Sequence, residues 1–148
     1  MSKSFEFLKL CGVFFLTTIN GEVPASRPFG AVMEYEGNLY ISTGNTKDVY
    51  KQLVQNPNIQ IVALKKETRE WIRINGKAIE TNDLKEKMTM LKKCPILSKR
   101  FNSATCEYFA LFKITNMESY LCTDSGMSKI DWMRFSNSNW NLWGRCNE

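Results

Sequence analysis

Chemistry in this chain is best sought at Arg27-Pro28-Phe29-Gly30-Ala31-Val32 and, a short distance on, at Thr43-Gly44-Asn45-Thr46-Lys47-Asp48-Val49-Tyr50-Lys51-Gln52-Leu53. A strand that carries an arginine is followed by a second strand, which runs into a helix whose first turn holds Thr46 and Lys47. Free backbone N–H groups at a helix start, joined by a hydroxyl and an ammonium, suit a phosphate. Lys47 and Lys51 are four apart and share one side of that helix. The order of strand, turn, strand and phosphate-type helix start points to a nucleotide-like cofactor. The same residues also suit a plain capped, solvated helix, and taken alone they leave both readings open.

The rest of the composition narrows the chemistry. The chain has no histidine. That removes a Ser-His-Asp triad, a Cys-His pair, and histidine-ligated zinc or haem. Five cysteines, Cys11, Cys94, Cys106, Cys122 and Cys146, are scattered without a C-x-x-C pair and read as reduced thiols of a cytoplasmic protein. The net charge of +5 suits a phosphorylated ligand, an anionic substrate or a nucleic acid equally. The basic residues form no dense block, which argues against a dedicated nucleic-acid role. A single-strand-binding barrel would alternate aromatic and basic residues on one strand face, whereas Phe14-Phe15 reads as core. Leu10 to Leu16 reads as a buried strand and not a leader. No run reaches the roughly 18 apolar residues of a membrane span.

The elements that must position these residues follow from pattern and punctuation. Ser2 or Ser4 caps a short helix ending at Gly12, and Val13 to Ile19 is a strand. Asn20-Gly21 makes a hairpin into a strand over 22–27, which Pro28 interrupts. Strands over 30–35 and 39–43 flank a turn at Glu36-Gly37-Asn38. Asn45 or Thr46 caps the next helix, with Val49, Tyr50, Leu53 and Val54 inward. A strand over 58–64 is followed by a long strand over 70–79 with a bulge at Gly76. Asn82 caps a helix to about Lys93 with Leu84, Met88 and Leu91 inward, and a second short helix is expected over 96–101. The last strands span 107–115 and 119–123. From Ser125 no strand is evident, and Trp132, Trp140 and Trp143 suggest either a tail docked on an apolar patch or a lid. The sum is roughly seven short antiparallel strands with peripheral helices, a mainly β, closed or half-closed barrel.

Taken together, Phe14-Phe15-Leu16-Thr17-Thr18, Arg27-Pro28-Phe29-Gly30, Tyr40-Ile41-Ser42-Thr43, Asn45 to Leu53, Asn56-Pro57 and Trp71 to Ala78 resemble the pyridoxamine-5′-phosphate-oxidase-like FMN-binding split-barrel family. Within it the chain is most similar to the small nitroimidazole-reductase-like branch. The resemblance covers roughly residues 5 to 125; it implies a split-barrel domain over 1–125 and a C-terminal extension over 126–148 of unassigned role. It further implies FMN as cofactor and a homodimer with flavins in clefts between subunits. Arg27, Pro28 and Phe29 would then line the ring and ribityl chain, and Ser42 and Thr43 would meet the ribityl-phosphate region. Thr46, Lys47 and Lys51 would hold the phosphate. Trp71 and Arg73 would reach the flavin bound mainly by the other subunit. Lys47-Asp48 stands where pyridoxamine-phosphate oxidases carry an Arg-Lys pair.

The resemblance implies an FMN-dependent oxidoreductase that passes electrons from a reduced nicotinamide to a small oxidised acceptor, nitroaromatic- or quinone-like. Catalytic side chains are not assigned, because the flavin carries the chemistry and needs no histidine. The alternatives are a non-catalytic flavin-binding electron carrier or sensor, and a deazaflavin in place of FMN. The expected partners are a second copy of the chain and small-molecule donor and acceptor, with no membrane and no metal.

Overall fold

The structure, a computed structural model, describes residues 1–131; the Trp132, Trp140 and Trp143 cluster lies outside the described residues. Helix α1 (Lys3–Cys11) is followed by β1 (Phe14–Asn20), β2 (Val23–Phe29), β3 (Met33–Tyr35), β4 (Asn38–Gly44), α2 (Asp48–Gln55), β5 (Asn58–Leu64) and β6 (Trp71–Thr81). Then come α3 (Leu84–Lys93), a 3-10 helix (Pro95–Lys99), β7 (Phe109–Thr123) and β8 (Gly126–Ile130). The strands form one eight-stranded antiparallel sheet in the order β2-β1-β5-β6-β7-β4-β3, with β8 also on β7. The ladder is not closed: β2 and β3 are its ends.

Its shape follows from where apolar side chains fall. Phe14 and Leu16 of β1, Ile59 and Ile61 of β5, and Ile72 and Ile74 of β6 point to one core. Their outward neighbours do not, and Phe15, expected in the core, is 52% exposed because strand side chains alternate faces. β4 and β7 differ: Ile41 and Phe112 enter that core, while Tyr40 and Leu111 enter a second one with Met90, Leu97 and Phe101. These two strands are buried on both faces because α3 and the 3-10 helix cover them.

Several local expectations shift by a residue or two. In the first hairpin Asn20 pairs with Val23, so Gly21 and Glu22 form the loop and only Gly21 takes positive φ (68°). Pro28 does not interrupt β2. It pairs opposite Phe15, and Pro24 pairs opposite Ile19. β2 is an edge strand, so a proline there need not donate to the ladder and also discourages pairing with another chain. The third strand is shorter than expected, and the fourth matches. The Gly76 bulge is present, as the register shifts between Asn75 and Lys77. A Cβ at Gly76 would lie 2.9 Å from Ile114 Cγ2. The two final strands are one, β7, with Asn116 at φ 51°.

Helix ends and faces show the same kind of correction. Lys47, not Asn45 or Thr46, is the N-cap of α2, without a side-chain cap bond. The Asn45 amide is engaged elsewhere, donating to the Glu107 carbonyl at 2.5 Å. On α2, Val54 is exposed and Gln52 is buried. Asp83, not Asn82, caps α3 and accepts from Glu86 N. Met90 is its buried residue, whereas Leu84 and Met88 are exposed and Leu91 is half-buried. Cys11, Cys94 and Cys106 are free thiols as expected.

The segment expected to lack strands begins with β8, whose end ties down the N-terminus. Asp131 accepts from the backbone N–H of Lys3 at 2.8 Å and of Ser4 at 2.5 Å, and Glu34 accepts from Ser2 N at 3.0 Å. Two carboxylates therefore satisfy the open end of α1 and complement its dipole. Asp131→Ala is expected to cost about 1–2 kcal/mol of stability, read from urea unfolding. No change would mean that water replaces the carboxylate at that helix end.

Candidate functional site

The curl of the sheet brings the edge strand β2 towards β4, the second strand from the other end. The end of β2 and the crossing segment Gly30-Ala31 form one wall of a cleft of about 520 Å³. The end of β4 and the start of α2 form another, through Ser42, Thr43, Lys47 and Val49. The third wall is the 3-10 helix and its exit, through Ile96, Leu97, Arg100 and Phe101. Phe101 is fixed by Phe109 at 4.6 Å and Tyr108 at 5.7 Å between ring centroids. The Tyr108 ring in turn lies on Gly44, where a Cβ would sit 2.0 Å from Cζ. Gly44 thus sets the corner from which α2 starts.

The lining has a simple chemistry. Arg27, Lys47 and Arg100 supply three cations, and among the described residues no carboxylate lines the cleft. Pro28, Phe29, Val49, Ile96 and Phe101 supply apolar surface. Ser42 Oγ is buried and has no hydrogen-bond partner among the described residues. A buried hydroxyl without a partner is costly. Its position on the cleft wall suits a ligand acceptor or donor there. An anionic ligand with a flat apolar part fits this set, and the residues fit a flavin phosphate ester by that test.

Arg27 is held from behind. Its Nη1 donates to Leu16 O at 3.2 Å and to Thr18 Oγ1 at 2.8 Å, and its Nη2 donates to Gln52 Oε1 at 2.8 Å. Thr18 Oγ1 donates to Gln52 Oε1 at 2.5 Å. Burial draws the Arg27 pKa down from its ordinary value, though a guanidinium stays charged. Burial also pushes up the Cys94 and Cys11 thiols, so neither is an activated nucleophile.

Of the residues expected at the site, Arg27, Pro28, Phe29, Ser42, Thr43 and Lys47 meet in the cleft. Thr46 and Lys51 flank it, exposed, at the start of α2 and one turn on. Trp71 and Arg73 are not brought there. They lie on the outer face of β6, opposite Leu64 and Val62 of β5, with the Arg73 guanidinium 4.9 Å from the Trp71 ring centre. Sequence reasoning missed Gly12, Ile96, Leu97, Arg100 and Phe101, which only packing brings to the cleft. It also missed Thr18 and Gln52. A glutamine beside inward-facing Leu53 on α2 was the available signal. Among the described residues no cluster of Cys, Asp and Glu could hold a metal ion, and no helix is long and apolar enough to cross a membrane.

The architecture is an antiparallel split barrel with a cationic cleft between β2 and β4. The family profile described as pyridoxamine 5′-phosphate oxidase matches residues 2–121. A crystal structure of a NimC/NimA family protein from Clostridium acetobutylicum is 39% identical, covers 86% of this chain and 89% of its own, and superimposes with a TM-score of 0.81. The chain therefore belongs to the pyridoxamine 5′-phosphate oxidase family, in its NimC/NimA-type branch. Two more distant structures share the fold. One is a putative pyridoxamine 5′-phosphate oxidase from Listeria innocua, at 20% identity, TM-score 0.64, and coverage of 78% of this chain and 93% of that one. The other is described as an FAD-binding protein from Mesorhizobium loti, at 16% identity, TM-score 0.56, and coverage of 83% and 96%. No curated protein matches the sequence.

Proposed function

We propose that the protein is an FMN-binding oxidoreductase that passes electrons from a reduced nicotinamide to a small oxidised acceptor, nitroaromatic- or quinone-like. The observation that carries this reading is the cleft itself: Arg27 and Lys47 converge there with the Ser42 hydroxyl, and among the described residues that hydroxyl has no partner and no carboxylate opposes the cations. The family and the FAD-binding description of one fold relative support a flavin.

Each residue then has a role set by its chemistry. A phosphate monoester carries between one and two negative charges at neutral pH. Lys47, Lys51, the Thr46 hydroxyl and the open N–H groups of α2 neutralise and bind it. Ser42 and Thr43 bind the polyol between phosphate and ring. Pro28 and Phe29 give the ring flat apolar contact, and Arg27 donates to its electron-rich N1–C2=O edge. FMN, when bound, supplies reversible two-electron chemistry at N5.

A homodimer belongs to the same proposal. The outer sheet face carries Phe15 and Leu64, each about half exposed, beside Trp71 and Arg73. Apolar surface of this kind is used by closing it against a second copy. Trp71 and Arg73 would then serve the partner's cleft.

The test is the visible absorption spectrum of the purified protein, with the released chromophore weighed by mass spectrometry. About one FMN per chain is expected, together with NADH- or NADPH-dependent reduction of a nitroaromatic or quinone. A colourless protein that takes up no added FMN would overturn the proposal. Bound FMN without turnover of any donor would leave a flavin carrier in place of an enzyme.

A further inference from the structure

Arg27 is more constrained than a ligand-facing arginine need be. A guanidinium has five N–H donors. Leu16 O and Thr18 Oγ1 take both N–H groups of Nη1, and Gln52 Oε1 takes one of Nη2. Thr18 and Gln52 are themselves joined at 2.5 Å, so they occupy the Nη1–Nη2 end together. The Nε–H and the second Nη2–H, on the adjoining edge, have no partner among the described residues. Arginine has no acceptor, so the Gln52 amide must present its oxygen to it. Gln52 and Thr18 are 8% and 0% exposed, which keeps water from replacing either.

We infer that Gln52 and Thr18 are positioning residues that lock the Arg27 guanidinium so that its Nε–Nη2 fork is offered, preformed, to a planar ligand edge carrying two adjacent acceptors. This rests on the flavin reading above, in which that edge is N1–C2=O. The lock also joins the two walls. Gln52 lies on α2, whose start carries Lys47, while Arg27 lies on β2. A group bound at the start of α2 and a ring edge bound at Arg27 are thereby held at a fixed separation. Preorganised donors act most strongly on charge that develops in the reaction. The fork therefore favours the reduced ring, which carries more negative charge at that edge.

The experiment measures dissociation constants of oxidised and reduced FMN for the wild type, Arg27→Ala, Gln52→Leu and the double variant, with Thr18→Val and Gln52→Glu as milder partners. Gln52→Leu is expected to lower the preference for reduced over oxidised FMN about tenfold, equal to ~30 mV for a two-electron couple. In the Arg27→Ala background it should add nothing, because the residue acts through Arg27. Thr18→Val should move the preference the same way by less. Gln52→Glu keeps the acceptor oxygen and should retain affinity for oxidised FMN. Additive losses, or a preference unchanged in Gln52→Leu and in Thr18→Val, would overturn the inference while FMN binding itself stood. A wild type that binds no FMN would instead overturn the flavin reading, and this inference with it. Should Gln52→Leu not fold, the Thr18→Val and Gln52→Glu pair decides the matter by the same ratio.

Discussion

Lys47→Ala is expected to weaken FMN binding about 30-fold, the ~2 kcal/mol of one charge-assisted hydrogen bond, with no change in the unfolding midpoint. The two halves of this expectation have separate physical grounds. Lys47 is the N-cap of α2 but makes no side-chain cap bond, and its exposed ammonium has no partner among the described residues. Removing it takes nothing from the folded state. It does take a cation from a cleft wall where a phosphate would meet the open end of a helix. Riboflavin, which lacks the phosphate, is the control. Its affinity should be the same for wild type and variant, and an equal loss for both ligands would show that Lys47 does not act on the phosphate.

The largest effect on stability is expected away from the cleft, at Glu86. Its carboxylate accepts from Tyr40 Oη at 2.8 Å and Thr81 Oγ1 at 2.7 Å, and Lys113 Nζ lies 3.3 Å away. Burial by itself would raise its pKa, but the bonds from Thr81, Tyr40 and Lys113 outweigh this and hold it below the usual carboxylate value. Tyr40 is pushed up to about 12, first by burial and then by its bond to Glu86. Glu86→Ala leaves the buried Tyr40 hydroxyl and the Thr81 hydroxyl without their acceptor and is expected to cost about 3 kcal/mol.

The pH dependence has a definite sign at each end. The folded protein keeps Glu86 ionised to lower pH than the unfolded chain does, so its contribution is whole above the ordinary carboxylate range and is lost as pH falls through the folded value. Folding keeps Tyr40 protonated, so its contribution is whole below pH 10 and is lost as pH rises towards 12. Urea unfolding across pH should show both slopes in the wild type. Tyr40→Phe should flatten the alkaline one, leaving the share of the other groups that folding keeps protonated, Cys94 and Tyr50 among them. A Tyr40→Phe curve that still falls between pH 10 and 12 as the wild type does would assign that slope to another group.

This cluster shows why some of the fold could be read from the chain and some could not. The alternation of Trp71, Arg73 and Asn75 with Ile72 and Ile74 stands in the residues themselves, because a strand turns each side chain by half a revolution. The Gly76 bulge was likewise legible, since a lone glycine in a strand marks a bulge or a close approach. Faces of α3 were not legible. Leu84 and Met88 have the spacing of a buried stripe, yet the helix buries Met90, because the helix is rotated by what Tyr40, Phe101 and Leu111 require of it.

At the site the division is similar. The types Arg27, Thr43 and Lys47, their order and the helix start beside them are local facts of the chain, and local chemistry picked them out, whereas Ser42 was reached only through the family resemblance. Their meeting in one cleft is not local. β2 and β4 lie near opposite ends of the sheet order, and only the curl that buries both sides of β4 and β7 brings them face to face. The same holds for the wall from Ile96 to Phe101 and for the Thr18–Gln52 lock on Arg27, whose members are remote in sequence. Residue type and periodicity determined which groups are available and which elements carry them. Tertiary packing decided which of them share a space, because that depends on how strands far apart in the chain are pressed around common cores.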